Sequence, residues 1–251
     1  MISENVRIGT SGFAYKDWLG NFYPQFLPSA DFLQFYASKF HTVEIDSTYY
    51  RIPSVSTVDR WAKVTPDGFL FTAKFPRVVT HEGDIDSRLK NATGFIEIMN
   101  RLGAKLGPLL LQFPYSFKPT EERTLVRLIE ALPSGQPFAV ELRNKQWLDC
   151  SHLFDLLKDR NIAFCLIDHP CMPRVDFLTA DFAYFRFLGD RNRIECDFSY
   201  TRCNKEADLK PWAEVIERYS QQGITSFAYF NNHYSGHAPT TAETLKALLS
   251  K

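Results

Sequence analysis

Apolar and polar positions along this chain follow two periods in turn. Short runs rich in β-branched and aromatic residues come at Val6–Thr10, Thr42–Asp46, Phe69–Lys74, Leu109–Phe113, Phe138–Arg143, Ala163–Asp168, Phe182–Phe187 and Phe227–Asn231. Between them, apolar residues recur every three or four positions. Phe32, Phe35, Tyr36 and Phe40 do so after a capping Ser29, and Leu89, Ala92, Ile96, Met99 and Leu102 do so before Gly103. Thr120 with Glu121 and Glu122 suits a helix start; Leu209, Trp212, Ile216 and Tyr219 run up to Gly223, and Leu245, Leu248 and Leu249 finish the chain. The shorter period marks strands and the longer one marks helices.

About eight strand-then-helix units predict an α/β fold, a single TIM-type (β/α)8 barrel occupying residues 1–251 as one domain. The connection between strands 6 and 7, residues 169–181 with Pro170 and Pro173, is irregular and too broken for a good helix. An open doubly wound sheet shares this rhythm, but it carries a glycine-rich phosphate loop that Gly9-Thr-Ser-Gly12 does not complete.

Alternation within each run then picks out a face. Glu44 pairs with Asp46, Thr72 with Lys74, Leu110 with Gln112, Glu141 with Arg143, Leu166 with Asp168, Tyr184 with Arg186, and Tyr229 with Asn231. The polar member lies at the late end of its run. Parallel strands buried on both faces are apolar throughout, so these side chains need a place to go. The carboxyl-terminal mouth of a barrel is that place. The last run passes straight into Asn231-Asn-His-Tyr-Ser-Gly-His237, which is its share of a polar rim, with Gly236 allowing a sharp turn into the final helix. Salt bridging among Glu44, Asp46, Glu141, Lys74, Arg143 and Arg186 is the structural alternative for any one pair.

Composition narrows the classes. Lys+Arg and Asp+Glu both number 29, so no long-range pull toward nucleic acid or anionic membrane is expected. The five cysteines show no C-x-x-C pair, which favours reduced thiols and a cytoplasmic location; Cys165 and Cys171 read as inert packing thiols. No signal segment and no long apolar stretch appears, so no membrane partner is expected. Among 22 Phe, 11 Tyr and 4 Trp, most belong to the core. Tyr15 and Trp18 lie in a polar, glycine-bearing stretch and are expected to form a lid over the mouth.

Two stretches, Gly9-Thr-Ser-Gly-Phe-Ala-Tyr-Lys-Asp-Trp-Leu-Gly-Asn-Phe-Tyr-Pro24 and Tyr229-Phe-Asn-Asn-His-Tyr-Ser-Gly-His-Ala-Pro239, resemble the terminal signatures of the YecE-like family. Val43–Tyr50, Phe71–Pro76, Leu111–Pro114 and Val140–Arg143 are similar to its internal blocks. The resemblance spans nearly the whole chain and implies a single TIM-type barrel. The family is catalogued as a domain of unknown function (72), so the resemblance implies no activity and no catalytic roles.

The residues themselves point to an enzyme acting by acid/base chemistry on a small polar or anionic ligand, a phosphate ester included. Glu44, Asp46, Glu141, Asp168 and His233 are the acid/base candidates. Lys74, Arg143 and Arg186 supply anion contacts, with Tyr15, Trp18, Gln112, Asn231, Asn232 and His237 completing the ligand set. Hydrolysis or isomerase-type proton transfer is the chemistry such a set supports. A divalent metal bound by the carboxylates and His233 is admitted but not favoured, because basic residues compete for the same carboxylates. The alternatives are a barrel that binds nucleic acid or hydrolyses its backbone, through Tyr15, Trp18, Tyr49, Tyr50, Arg51 and Arg77, and a ligand-binding barrel without turnover. Glu141→Gln and Arg143→Ala are both expected to leave folding largely intact while abolishing ligand binding.

Overall fold

The computed structural model describes residues 3–250. Nine strands follow in chain order: β1 Val6–Thr10, β2 Thr42–Ile45, β3 Leu70–Lys74, β4 Leu106–Gln112, β5 Phe138–Glu141, β6 Ile162–Phe164, β7 Leu166–Asp168, β8 Phe182–Phe187 and β9 Thr225–Phe230. All pair in parallel, in the orders β2-β3-β4-β5-β6 and β7-β8-β9-β1.

The two sheets join into a ring. β6 and β7 are halves of one run interrupted at Cys165, whose amide still donates to the Val140 carbonyl at 2.9 Å. On the other side Ser11 bridges Glu44 in parallel, and the Gly12 amide donates to the Glu44 carbonyl at 2.7 Å. Counting β6 and β7 as one, eight strand positions close a TIM-type barrel. Gly9 is what lets β1 approach β2. A Cβ there would stand 2.3 Å from the Thr42 carbonyl oxygen, well inside contact distance.

No helix occupies residues 169–181 of the described chain. Here a side chain stands in for strand pairing. Thr179 Oγ1 accepts from the Phe164 amide at 2.7 Å and donates to the Ile162 carbonyl at 2.6 Å, satisfying backbone groups that would otherwise be buried unpaired. The helix expected after Ser29 begins at Phe32, and Ser29 lies in a short turn, Ser29–Asp31, before it. Ser54 and Asp84 cap the helices Val55–Val64 and Ile85–Met99 through their side chains.

Strand alternation divides the buried residues into two cores. Ile8, Val43, Phe71, Leu111, Val140, Phe185 and Phe230 face outward and pack with helix residues such as Leu33, Phe95, Leu128, Trp212 and Leu245. Leu110, Ala139, Ala163, Cys165, Tyr184, Phe227 and Tyr229 face inward and fill the ring. Small side chains from β5 and β6 leave room for the tyrosines of β8 and β9, so the interior is packed rather than hollow.

That alternation corrects one sequence expectation. Ala163, Cys165 and Ile167 face the interior, so Leu166 and Asp168 face the helices. Asp168 accepts from Trp212 Nε1 at 2.9 Å and from the Tyr234 hydroxyl at 2.8 Å, tying the barrel wall to the helix Glu206–Gln221. It lines a cleft of about 240 Å³ with Arg174, Lys205 and Asp208, which adjoins the mouth cavity along His169, Gly189, Asp190 and His233.

Candidate active site

Above the apolar filling, the interior side chains turn polar. Glu44 and Glu141 are fully buried and Arg186 is 3% exposed. The Arg186 guanidinium donates Nε to Glu44 Oε2 at 2.9 Å and Nη2 to Oε1 at 2.8 Å, while Nη1 bonds Glu141 Oε2. Ser11 Oγ donates to Glu44 Oε1 at 2.7 Å, and the Tyr184 hydroxyl donates to Oε2 at the same distance. Burial raises the Tyr184 hydroxyl well above its ordinary range, which keeps its proton in place for this bond. Glu44 Oε1 thus meets donors from Ser11 and from β8, and Oε2 meets two donors from β8.

Glu141 receives a second arginine, Arg143, through Nε. Burial alone would raise the Glu141 carboxyl, but Arg143 and Arg186 overcome it and hold the group at about 2. Arg186 is likewise opposed by burial and kept charged by Glu141 and Glu44. A buried charge needs this degree of pairing, because desolvation costs several kcal/mol per ion.

Over this floor opens a cavity of about 610 Å³. Asp46, Lys74, Gln112, Arg143, Arg186 and Asn231 line it, from the ends of β2, β3, β4, β5, β8 and β9 respectively. Six strand ends thus contribute to one space. Lys74 lies with Nζ 3.8 Å from the centroid of the Tyr49 ring. Glu44 and Glu141 are taken by arginines, and among the described residues Lys74 enters no salt bridge. Burial, reinforced by Arg186, brings the Lys74 amine down to about 7. Asp46 moves the opposite way: burial, reinforced by Glu44, raises its carboxyl above the ordinary carboxylate range. Arg143 spends Nε on Glu141 and stacks over Tyr115, 5.5 Å from its centroid.

His233 also lines the cavity; its Nδ1 pairs with the Ile194 carbonyl, and burial lowers its pKa. Asn231 Oδ1 accepts from the His233 amide at 3.0 Å and so caps the turn of helix Asn232–Ser235. Tyr15 lines an adjoining cavity of about 430 Å³ that shares Asp46, Tyr50, Arg191, Asn231 and His233 with the first.

Trp18 and His237 line neither cavity, and Asn232 lines only the adjoining one. Trp18 is 0% exposed, packed among Tyr15, Phe22, Tyr23 and His237, so it is a buried anchor rather than a lid. Lys16 and Asp17 face solvent while Trp18 turns inward, a split that the polarity of the stretch conceals. Asn232 is buried and accepts from Trp18 Nε1 at 3.2 Å and from the Ala238 amide at 3.0 Å. His237 caps the helix Ala238–Leu248 through Nδ1, which accepts from the Thr240 amide at 3.3 Å. The positive φ of Gly236, 109°, provides the sharp turn expected before that helix.

The cavity also holds residues that sequence reasoning left out of the site: His81, Tyr115, His169 and Arg191. Tyr115 and His169 stand just past the strand ends Gln112 and Asp168, a position that signals a mouth residue. His81 directly follows the short helix Arg77–Thr80 and Arg191 lies several residues past β8, and no local pattern marks them. Among the described residues, no group of three or more His, Cys, Asp or Glu is arranged to hold a metal ion. No helix there is long and apolar enough to cross a membrane.

Closed parallel ring, apolar filling and charged carboxyl-terminal mouth define a TIM-type barrel protein. Residues 7–251 match the family described as "Protein of unknown function DUF72", and the chain belongs to that family. A DUF72 family protein from Thermotoga maritima MSB8 is similar over 98% of this chain and 99% of its own, at 33% identity and a TM-score of 0.82. One from Enterococcus faecalis V583 covers 98% and 96% of the two chains, at 25% identity and a TM-score of 0.81. The UPF0759 protein YunF of Bacillus subtilis is 26% identical over 97% of this chain and 94% of its own length. The UPF0759 protein YecE of Escherichia coli K12 is 33% identical, but the match spans 46% of this chain and 42% of that relative. D-psicose 3-epimerase, at 13% identity and a TM-score of 0.55, shares the fold.

Proposed function

We propose that this protein is an enzyme that binds a small anionic ligand in the mouth cavity and acts on it by acid/base chemistry. One observation carries the reading: Lys74, Arg143 and Arg191 share a cavity with Asp46, whose carboxyl is held above its ordinary range. Cations at the rim supply the binding charge, and Arg143 has Nη groups beyond the Nε that it gives to Glu141. A carboxyl of raised pKa is the better proton donor near neutrality. Glu44 and Glu141, tied to Arg186 and shielded from the cavity, hold the guanidinium in place rather than move protons. His81, held at about 4 by burial and by Lys74, faces the ligand as a neutral imidazole.

Asp46 then exchanges a proton with a ligand whose charge is fixed by arginine, which suits isomerisation or hydrolysis. The five unpaired thiols suit the reducing cytoplasm, where we place the protein. Calorimetric titration with inorganic phosphate and simple phosphate esters tests the reading. Wild type should bind, and Arg143→Ala should lose on the order of tenfold or more in affinity, the value of a charge-assisted bond. Equal binding by both proteins would refute it.

A second reading, nucleic-acid binding, draws on Tyr50 and Tyr115, which are 72% and 43% exposed at the same mouth as Arg191. It requires salt-dependent retention on single-stranded DNA.

A further inference from the structure

We infer that Lys74 is an amine nucleophile and that the ligand is a carbonyl compound, an aldehyde, ketone or oxo-acid, carrying an anionic group. The inference rests on the proposed anionic mouth site and names its substrate class. Lys74 ends β3 at the cavity, laid along the Tyr49 ring, and among the described residues it enters no salt bridge. A lysine placed only to bind an anion gains nothing from neighbours that weaken its charge. The charged and titratable groups around it are Arg186 and Arg143 from β8 and the end of β5, His81 after β3, and Asp46 at the end of β2. Glu141 and Glu44 act from the floor, already spent on the arginines. Burial and Arg186 bring the amine to about 7, so a large share of it carries a free lone pair at neutral pH.

The cavity holds both the amine and the acid that imine formation needs. The Lys74 lone pair adds to the carbonyl carbon, and the proton that the attacking nitrogen releases passes to the carbonyl oxygen to give a neutral carbinolamine. The hydroxyl then leaves as water with a proton from the Asp46 carboxyl. The products are a protonated imine, water and the Asp46 carboxylate, so charge and atoms balance. Arg143 holds the substrate's anionic group, and the iminium withdraws electrons from the adjacent carbon for the proton transfer already proposed.

Reductive trapping with cyanoborohydride at pH 7 tests this, read by peptide mass mapping. Two probes are used separately, neutral acetaldehyde and anionic glyoxylate. Lys74 should be alkylated by acetaldehyde about tenfold or more faster than the exposed Lys158 and Lys210, because burial lowers the pKa of its own amine. Glyoxylate should favour Lys74 further, and Arg143→Ala should erase that extra preference while leaving the acetaldehyde rate high. Lys74→Arg, with an unchanged melting temperature, should lose the adduct at this position only. Acetaldehyde labelling of Lys74 no faster than of Lys158 overturns the nucleophile. Fast acetaldehyde labelling without any glyoxylate preference overturns the anionic site instead, and with it the substrate class.

Discussion

Glu141 and Arg143 stand two residues apart in sequence yet belong to different energetic settings. Glu141 is fully buried between two guanidiniums, whereas the Arg143 side chain is 20% exposed. Removing one partner of a buried ion pair leaves the others uncompensated, at a cost of about 3 kcal/mol or more. Glu141→Gln should therefore lower stability by roughly that amount in urea melts, contrary to the expectation from sequence that it leaves folding intact. Arg143→Ala leaves Glu141 still paired with Arg186 and should cost about 1 kcal/mol. Its main effect belongs in ligand affinity. The same residue-level accounting applies to His237, which is 3% exposed and held at about 4 by burial.

Well above pH 6.5 His237 is neutral in folded and unfolded chains alike, and at 6.5 half of the unfolded chains already carry the proton. As pH falls from there toward 4 only the unfolded chain takes up the proton, so stability declines, by up to about 3 kcal/mol, and then levels. Melts between pH 7 and 5 should show this fall. His237→Asn, which keeps a capping oxygen, should make it shallower.

At the scale of elements, the seam between β1 and β2 depends on the absence of a side chain. Gly9→Ala would force a methyl group to within 2.3 Å of the Thr42 carbonyl oxygen. The strands cannot separate without losing the bond from the Gly12 amide to Glu44, and Ser11 would be drawn away from the Glu44 carboxylate. This substitution should cost about 2 kcal/mol or more and disturb the mouth as well as the seam. Thermal melts and the Arg143-dependent phosphate titration would both register it. An effect on neither would mean that the seam is slack.

For the molecule as a whole, the ring couples its first and last strands, since β1 pairs with β9 along its whole length. We propose that residues 3–250 unfold as a single cooperative unit. Scanning calorimetry should give equal calorimetric and van't Hoff enthalpies; a resolved second transition would show separable halves. Zero formal net charge also belongs to this scale. Any binding of anions is then due to the local field of the mouth, and its salt dependence should be that of one or two contacts rather than of an extended basic surface.

By itself the sequence determined the barrel and the end of it that is charged. Two-residue and 3.6-residue periods are local properties, and strand alternation carries Glu44, Lys74, Glu141, Arg186 and Asn231 to the late ends of their runs. Only the tertiary structure decided which charges are neutralised and which face the cavity. Glu44, Glu141 and Arg186 come from three strands, and their pairing depends on distances across the ring that no local pattern encodes. The same holds for Asp168, whose side of the sheet follows from where Cys165 sits in a broken strand, and for Trp18, which a polar neighbourhood disguises as surface. Lys74 is ordinary in sequence. It becomes a lowered amine because folding surrounds it with arginines and takes its water away.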